Sequence, residues 1–422
     1  ERILIGKHRQ SEHTHLKGAA YGALADLLLH VRARLSMAQI SRVVHIYSRV
    51  LHDASMNLPL VVQTTSARLL LNMVDPVYHN KEEKASLGRD ILFRILETLM
   101  WKVRMLVDHG IADVKEAEKG SEEGSFEDLK RRKDQKVDQK DIYASAFLNN
   151  PGTIQNIREL VKPLLSGIKT LIWCINNYGS QREKMLNTAK DKNEKTKAGS
   201  SGDKTSNRST WYEELAVQGI NVSERALIEN YFVWTLEILK VFKVENALEG
   251  DKNELTVSSK QDLYRGVLET FSSSIAVLDS FNFQQIVGPK VQFLIKCIVD
   301  DEDVIVVPQT FLLQTSNVTS DFTSCLLRVL MQNSTELDLG IDESDDEKIR
   351  RTSEVRMKLF GLIFNSLSTC PKNEKVLRPH LQCFIAACLR RAVGSDVKYW
   401  PGNHLTVLRK LFRAIAGGKF EE

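Results

Sequence analysis

The sequence has few cysteines and no long apolar run, and each shortage excludes a class of protein. Only six of its 422 residues are cysteine, and no two of them form a CxxC pair. A cysteine-rich zinc site or a thiol redox motif is therefore not indicated, and we expect free, buried thiols in a reducing compartment. No apolar run approaches the roughly 20 residues that span a bilayer, so we expect a soluble intracellular protein without a membrane partner. The start, ERILIGKHRQ, lacks a Met and the architecture of a signal peptide, which suggests a piece of a longer protein.

Motifs for catalysis and cofactor binding are also lacking. The sequence contains no GxGxxG or GxxxxGK[ST] loop for a nucleotide, no HRD and DFG pair for a kinase, no GxSxG elbow and no HExxH helix. Without such an arrangement nothing brings groups of matched pKa together. The sequence therefore predicts no enzyme and no catalytic, cofactor-binding or metal-binding residues.

Charge does not indicate a nucleic-acid-binding protein either. The formal net charge is +4, and the basic residues are dispersed along the chain rather than gathered in one block. A nucleic-acid footprint normally requires a basic patch or stripe, so direct nucleic-acid binding is not expected.

What the sequence does have is a succession of amphipathic helix patterns. Apolar residues recur at steps of three and four over residues 16–35 and again over 40–51, and Ser36 with Gln39 between them forms a capping-box signature. Similar patterns cover residues 59–74, 91–106, 154–175, 226–242, 263–278, 283–299, 311–330, 355–367, 379–392 and 404–416. Short connections predict antiparallel pairs, and two helices in about 40–47 residues is the HEAT or armadillo period. We therefore predict an all-α, HEAT-like α-solenoid of antiparallel helix pairs.

Several local signals refine this prediction. Asp75-Pro76 is expected to stop a helix, and Pro163 to bend or divide one. Val304 to Val307, followed by Pro308, is predicted to be an extended connector. Asn221 with Glu224 indicates the start of one further helix. Asn403 and Gly417-Gly418 indicate the start and the end of another.

Two polar stretches interrupt the helical patterns. Residues 113–141 are rich in charges of both signs, with Gly120 and Gly124 expected to remove helical continuity, and residues 181–210 carry excess lysine. We interpret both as disordered insertions, so that helical repeats occupy residues 1–112, 142–180 and 211–422. The lysine-rich stretch could contact nucleic acid or an acidic partner, but a solvated linker is favoured because it has almost no aromatic residues for base stacking.

The remaining histidines, cysteines and acidic residues do not indicate a metal or catalytic site. His8, His13 and His15 have no evident fourth ligand for a metal, and His45 and His52 share a helix face without further support. Cys383 and Cys388 are better explained by core packing. Ser344 with Glu347 is interpreted as a capping box, although the acidic surroundings would also suit phosphorylation at this helix N-terminus.

Three stretches resemble the transformation/transcription domain-associated protein (TRRAP) family and its fungal counterparts. They are AYGALADLLLHVR at 20–32, QTTSARLLLNMVDP at 63–76 and LRKLFRAIAGGKFE at 408–421. The resemblance covers most of the chain outside the two insertions and is to the N-terminal HEAT-repeat region. It implies a HEAT solenoid in a family whose kinase-like domain is catalytically dead, and none of the FAT or kinase-like parts is present here.

The same resemblance implies a function as well as a fold. The family supplies a large nuclear scaffold subunit of histone acetyltransferase coactivator complexes, SAGA and its H4-acetylating counterpart, that receives DNA-bound transcriptional activators. Activation segments are typically acidic and amphipathic, so a basic-rimmed apolar groove would suit them. Arg32, Arg34, Arg42 and Arg49 are the candidates for such a surface.

The sequence is also compatible with two other functions. A nuclear transport receptor of the importin type is also a HEAT solenoid of near-neutral charge, and it would respond to a GTP-loaded small GTPase. A fragment of an active related kinase is the third hypothesis, against which the TRRAP resemblance argues.

Overall fold

The structure, a computed structural model, describes residues 17–52, 60–79, 85–123, 151–194, 219–243, 254–313, 318–332, 347–368, 370–393 and 401–416. Within these ranges all regular elements are helices and no strand occurs. The predicted all-α class is therefore confirmed. The chain divides into two compact units, residues 1–264 and 265–422.

The first unit contains seven described helices and the start of an eighth. They are α1 (Lys17–Val31), α2 (Met37–His52), α3 (Leu60–Asn72), α4 (Val74–Tyr78), α5 (Ala85–Glu123), α6 (Pro151–Glu194), α7 (Val222–Ile238) and α8 (Glu254–Ile275), with 3₁₀ turns at Arg32–Arg34 and Leu239–Phe242. Helix α3 packs against α1, α2 and α6, and α5 packs against α2, α6 and α7. Both helices thus pack against helices one to three elements away in the order of the chain, as repeat architectures do.

A glycine accommodates a leucine side chain where α3 and α6 cross. Gly167 of α6 lies directly against the Leu71 side chain of α3, where a Cβ atom would overlap it. A residue without a side chain is therefore required at this crossing.

The second unit has a core of aromatic side chains between short helices. It contains α9 (Ser280–Val287), α10 (Val291–Asp300), α11 (Val306–Leu313), α12 (Thr319–Leu330), α13 (Glu347–Ser366), α14 (Lys372–Val393) and α15 (Pro401–Ala416), with 3₁₀ turns at Gly288–Lys290 and Glu302–Ile305. The rings of Phe283, Phe311 and Phe322 meet edge to face, with centroids 5.0–6.3 Å apart. Helix α15 packs against both α13 and α14.

Two predicted capping boxes are confirmed. The Ser36 amide donates to Gln39 Oε1 (2.9 Å), and the Gln39 amide donates to Ser36 Oγ (3.4 Å). The Asn221 and Glu224 side chains accept from each other's amides at 2.8 Å. Both boxes satisfy amides that the first helical turn leaves without an intrahelical partner, and so fix where α2 and α7 begin.

The predicted connector at Val304–Val307 was wrong, because these residues belong to a 3₁₀ turn and then α11. Asp301 caps the turn by accepting from the Asp303 amide (3.1 Å). Pro308 lies in the first turn of α11, where no intrahelical donor is lost. Val304 and Val307 are both buried, so core packing outweighs the β preference of the valines.

Prolines and glycines interrupt the helices less than the sequence predicts. Helix α6 runs continuously through Pro163, and α5 continues through Gly120 to Glu123. Helix α3 already ends at Asn72, and Pro76 lies inside the short helix α4 that begins two residues later. Asn403 lies inside α15 rather than at its cap. Helices α5 and α6 therefore extend into the first part of each polar stretch. The remaining residues of both stretches, and Gly417-Gly418, lie outside the described residues.

Candidate docking surfaces

All four arginines predicted to form a docking surface are exposed. Arg32 and Arg34 lie in the 3₁₀ turn before α2, and Arg32 donates to the Leu29 carbonyl (3.1 Å). Arg42 and Arg49 are seven residues apart and share one face of α2. The structure therefore leaves this surface available for an acidic partner.

The histidine pair does not form a site. His45 is exposed, whereas His52 is partly buried, with Nε2 2.9 Å from the Thr98 carbonyl oxygen and Nδ1 3.3 Å from the Met105 sulfur. Burial lowers the pKa of His52 from its usual value. Its contacts join α2 to α5, so its role is in packing. Among the described residues no cluster of His, Cys, Asp or Glu could hold a metal, and His8, His13 and His15 lie outside them.

The cysteines differ in exposure more than the sequence predicts. Cys388 is buried, and burial raises its pKa to about 12, as it does for Cys174. A thiol with such a pKa is not a nucleophile at neutral pH. The assignment of Cys383 to the core was wrong, because its position on α14 faces solvent. Ser344 and most of the lysine-rich stretch lie outside the described residues.

A buried ion pair in the first unit was not predicted. Arg89 of α5 pairs with Glu224 of α7 through both side-chain oxygens, with Nε to Oε1 at 2.9 Å and a terminal nitrogen to Oε2 at 2.5 Å. The guanidinium also donates to the carbonyls of Ile175 (3.2 Å) and Gly219 (2.5 Å). One side chain thus joins α5, α6 and the entry to α7. Glu224 also completes the α7 capping box, which orients its carboxylate.

A lysine of helix α5, Lys102, is also buried. Lys102 is 7% exposed, and burial lowers its pKa from 10.5 to about 8. Burial of a charged amine is costly, so this residue reduces the stability of the first unit at neutral pH.

A partly exposed aromatic cluster lies on the surface of the first unit, with Trp101 exposed and Trp234 half-buried. The indole rings of Trp101 (α5) and Trp234 (α7) lie 6.4 Å apart. The Arg104 guanidinium stacks over both rings, at 4.7 and 5.5 Å from their centroids. Tryptophan and arginine are the residue types that anchor protein interfaces most often, and this cluster is a second candidate docking surface.

The second unit carries an apolar groove between the C-terminal part of α14 and helix α15. It is open, encloses about 600 Å³ and is lined by Leu389, Leu405, Leu408, Arg409, Phe412, Arg413 and Ala416. On α15 the residues His404, Val407 and Leu411 face the core, whereas Leu405 and Phe412 form a second apolar stripe that faces outward. The sequence carries this signal, since α15 has more apolar positions than one buried stripe needs.

Exposed apolar side chains also occur on membrane proteins, which cross the bilayer with helices of about 20 predominantly apolar residues. In the parts of the chain that the structure describes, no helix is long and apolar enough to cross a bilayer.

An all-helical chain in which each helix packs on near neighbours in element order is a helical-repeat protein. Comparison with known families identifies the repeat family. The model of the Tra1 HEAT-repeat central region matches residues 1–422, the whole chain. The chain therefore belongs to the Tra1/TRRAP family. The match is to the central HEAT region, whereas the resemblance noted above was to the N-terminal HEAT region, so that placement was wrong.

Relatives from distant organisms match along the whole chain. Transcription-associated protein 1 of Drosophila melanogaster is 26% identical over 100% of this chain and 10% of its own length. The transformation/transcription domain-associated protein of Danio rerio is 24% identical over 100% of the chain and 11% of its own length. The SAGA complex/NuA4 acetyltransferase complex subunit TRA1 of Saccharomyces cerevisiae is 26% identical over 100% of the chain and 12% of its own length. The chain thus spans about a tenth of the length of these relatives.

Proposed function

We propose that this chain is a non-enzymatic part of a scaffold subunit of SAGA-type and H4-acetylating histone acetyltransferase complexes, and that it acts in the nucleus. The observation that supports this most is the match of the whole chain to the Tra1 HEAT-repeat central region. Two yeast relatives are named as subunits of SAGA and NuA4 acetyltransferase complexes. On this proposal the chain contributes binding surfaces and no catalytic group.

The proposed partners are other subunits of these complexes and transcriptional activators. Three described surfaces have suitable chemistry. They are the exposed arginines Arg32, Arg34, Arg42 and Arg49, the Trp101–Trp234–Arg104 cluster, and the groove between α14 and α15. Aromatic side chains and arginines supply most of the binding free energy in protein interfaces, and arginines favour acidic partners.

The proposal is tested by purifying the full-length protein from its own cells through an affinity tag. We expect histone acetyltransferase activity, measured on histone H3 and H4 peptides, to co-purify with it, whereas an equally tagged importin-type solenoid should bring none. Purification of the intact full-length protein without co-purifying acetyltransferase activity would contradict the proposal.

Activator docking is tested separately on the 422-residue chain. A labelled acidic activation segment should bind to it, as measured by fluorescence anisotropy, and a GTP-loaded importin-type small GTPase should not. Binding of the GTPase without binding of the activation segment would favour a transport receptor instead.

A further inference from the structure

The groove between α14 and α15 exposes large apolar side chains together. Leu389, Leu405 and Phe412 expose 47%, 52% and 52% of their surface, although side chains of these types are usually buried. They line one concave surface instead of being scattered. An apolar patch concentrated in a groove is typical of a binding surface.

Among the described residues, the charged side chains that line this groove all carry the same sign. Its ionisable lining residues are Arg409 and Arg413, and Arg390, next to Leu389, is exposed as well. Residues 381–393 of α14 and all of α15 contain arginine and lysine but no aspartate or glutamate. Lys410 lies on another side of α15, close to Gly361 of α13, so the arginines form the rim. A ligand for this groove should therefore be apolar on one face and acidic beside it.

We propose that the groove binds an amphipathic helix of a partner protein, in which aspartates and glutamates flank the apolar stripe. This inference rests on the proposed docking function and assigns a site to one class of partner. Grooves of this kind bind helices through apolar anchors at positions i, i+3 or i+4, and i+7. Leu405 and Phe412 are seven residues apart, or about 10 Å along α15, which matches the i to i+7 spacing of a ligand helix.

The arginines can fix the orientation of such a helix. Arg409 and Arg413 are four residues apart on α15, about 6 Å along its axis, which is also the spacing of carboxylates at i and i+4. Each guanidinium can bind a carboxylate through two parallel hydrogen bonds. Apolar contacts would then provide affinity, and the arginines would select acidic over basic helices.

The experiment measures binding of a designed peptide to the 422-residue chain. The probe is a fluorescein-labelled peptide of about 18 residues, or five turns, with leucines on one helical stripe and glutamates beside it. One control peptide has the same composition with the leucines redistributed around the helix, and another has lysine in place of glutamate. We expect the probe to bind, to gain helical circular dichroism on binding, and to outcompete both controls.

Two groove variants are compared with matched variants elsewhere in the second unit. Phe412→Ala should weaken binding at least about tenfold, as is typical of an aromatic anchor. Its control is Phe281→Ala, since Phe281 is exposed to a similar degree (60%) on α9. The double reversal Arg409→Glu/Arg413→Glu should also weaken binding at least about tenfold, and the remaining binding should lose its salt dependence. Its control is Lys296→Glu/Arg328→Glu, at exposed positions of α10 and α12, and both controls should stay within about twofold.

The groove assignment is overturned if the peptide binds but both groove variants behave like their controls, and in that case activator docking still stands. If the peptide does not bind while an activation segment does, the proposal also fails and docking again stands. If neither binds, both proposals fail.

Three alternative occupants of the groove are distinguished by three further measurements. Neutralising Asp342, Glu343, Asp345 and Asp346 should leave peptide affinity unchanged; a clear increase would assign the groove to this acidic segment. Self-association that Phe412→Ala abolishes would assign it to a second copy of the chain. In the full-length polypeptide, loss of the Phe412→Ala effect would show that another part of that polypeptide covers the groove. Each of these results would overturn the proposal.

Discussion

Replacing Arg89 by methionine should strongly destabilise the first unit. The hydrogen bonds of the guanidinium include two to Glu224 and one each to the carbonyls of Ile175 and Gly219, at 2.5–3.2 Å. Methionine fills a similar volume but donates none of these bonds. The Glu224 side chain, which is 0% exposed, would then carry a buried charge without its cation.

The size of the effect follows from this burial. Removing one partner of a buried ion pair costs about 3–5 kcal/mol of unfolding free energy, because the other charge remains buried. The double variant Arg89→Met/Glu224→Gln removes both charges, and glutamine can still accept from the Asn221 amide that closes the capping box. We therefore expect the double variant to lose less than about 2 kcal/mol, although it carries one more substitution.

Urea denaturation monitored by tryptophan fluorescence measures both losses. Trp101, Trp173 and Trp234 all lie in the first unit, so the signal reports mainly on the part of the chain that contains the ion pair. A loss below about 1 kcal/mol for Arg89→Met, or a double variant no more stable than the single one, would refute the reasoning.

Two further predictions concern buried positions of the first unit. Because burial lowers the pKa of Lys102 to about 8, this amine holds a proton between pH 8 and 10.5 in the unfolded chain but not in the folded one, so its contribution to stability rises across this window. The buried thiols of Cys174 and Cys388, whose pKa is raised, contribute in the opposite direction above pH 9, so the prediction concerns the difference between two proteins that share these thiols. Lys102→Met should raise the unfolding free energy at pH 7 by up to about 3 kcal/mol, and its advantage over the unsubstituted chain should be smaller at pH 10. Urea denaturation at pH 7 and 10 measures this advantage, and the same value at both pH values would contradict the prediction. Gly167→Ala should lower the unfolding free energy by about 1–3 kcal/mol, because its Cβ would overlap the Leu71 side chain. Its control, Gly22→Ala on α1, has open space around it and should be neutral or stabilising. Equal melting temperatures of the two variants would contradict the crossing described for α3 and α6.

Local signals allowed much of the fold to be predicted. The capping boxes at Ser36 and Asn221 depend on residues three positions apart, and the structure confirms both. The helix patterns were found for the same reason, since a stripe of apolar residues three and four apart is visible in any window of the sequence.

The errors arose where packing outweighed a local preference. Pro163 does not interrupt α6, because the helix around it is held by buried neighbours on both sides, Leu160, Val161, Leu164 and Leu165. The valines at 304 and 307 became helical for a similar reason. Neither result is readable from the residues alone, because the strength of the surrounding contacts is set by distant helices.

The candidate sites were harder to predict than the fold. Arg89 and Glu224 are 135 residues apart, so no pattern in the sequence joins them. The groove needs α14 and α15 to lie side by side, with Leu389 and Phe412 contributed by different helices. The sequence did indicate exposed arginines at 32, 34, 42 and 49, because the amphipathic pattern of α2 and its preceding turn already places them on the polar side. That those arginines bind an activator stays a prediction.

The Arg89–Glu224 ion pair also bears on how the chain could be divided. Helix α5 packs against both α6 and α7, which follow residues 124–150 and 195–218, and Arg89 of α5 binds the Ile175 carbonyl of α6 and the Glu224 carboxylate of α7. Two polypeptides ending at residue 123 and starting at residue 151 would keep complementary faces, with Arg89 on one piece and Glu224 on the other. Such pieces should reassemble without a covalent link, which makes this region suitable for a split reporter of assembly in cells.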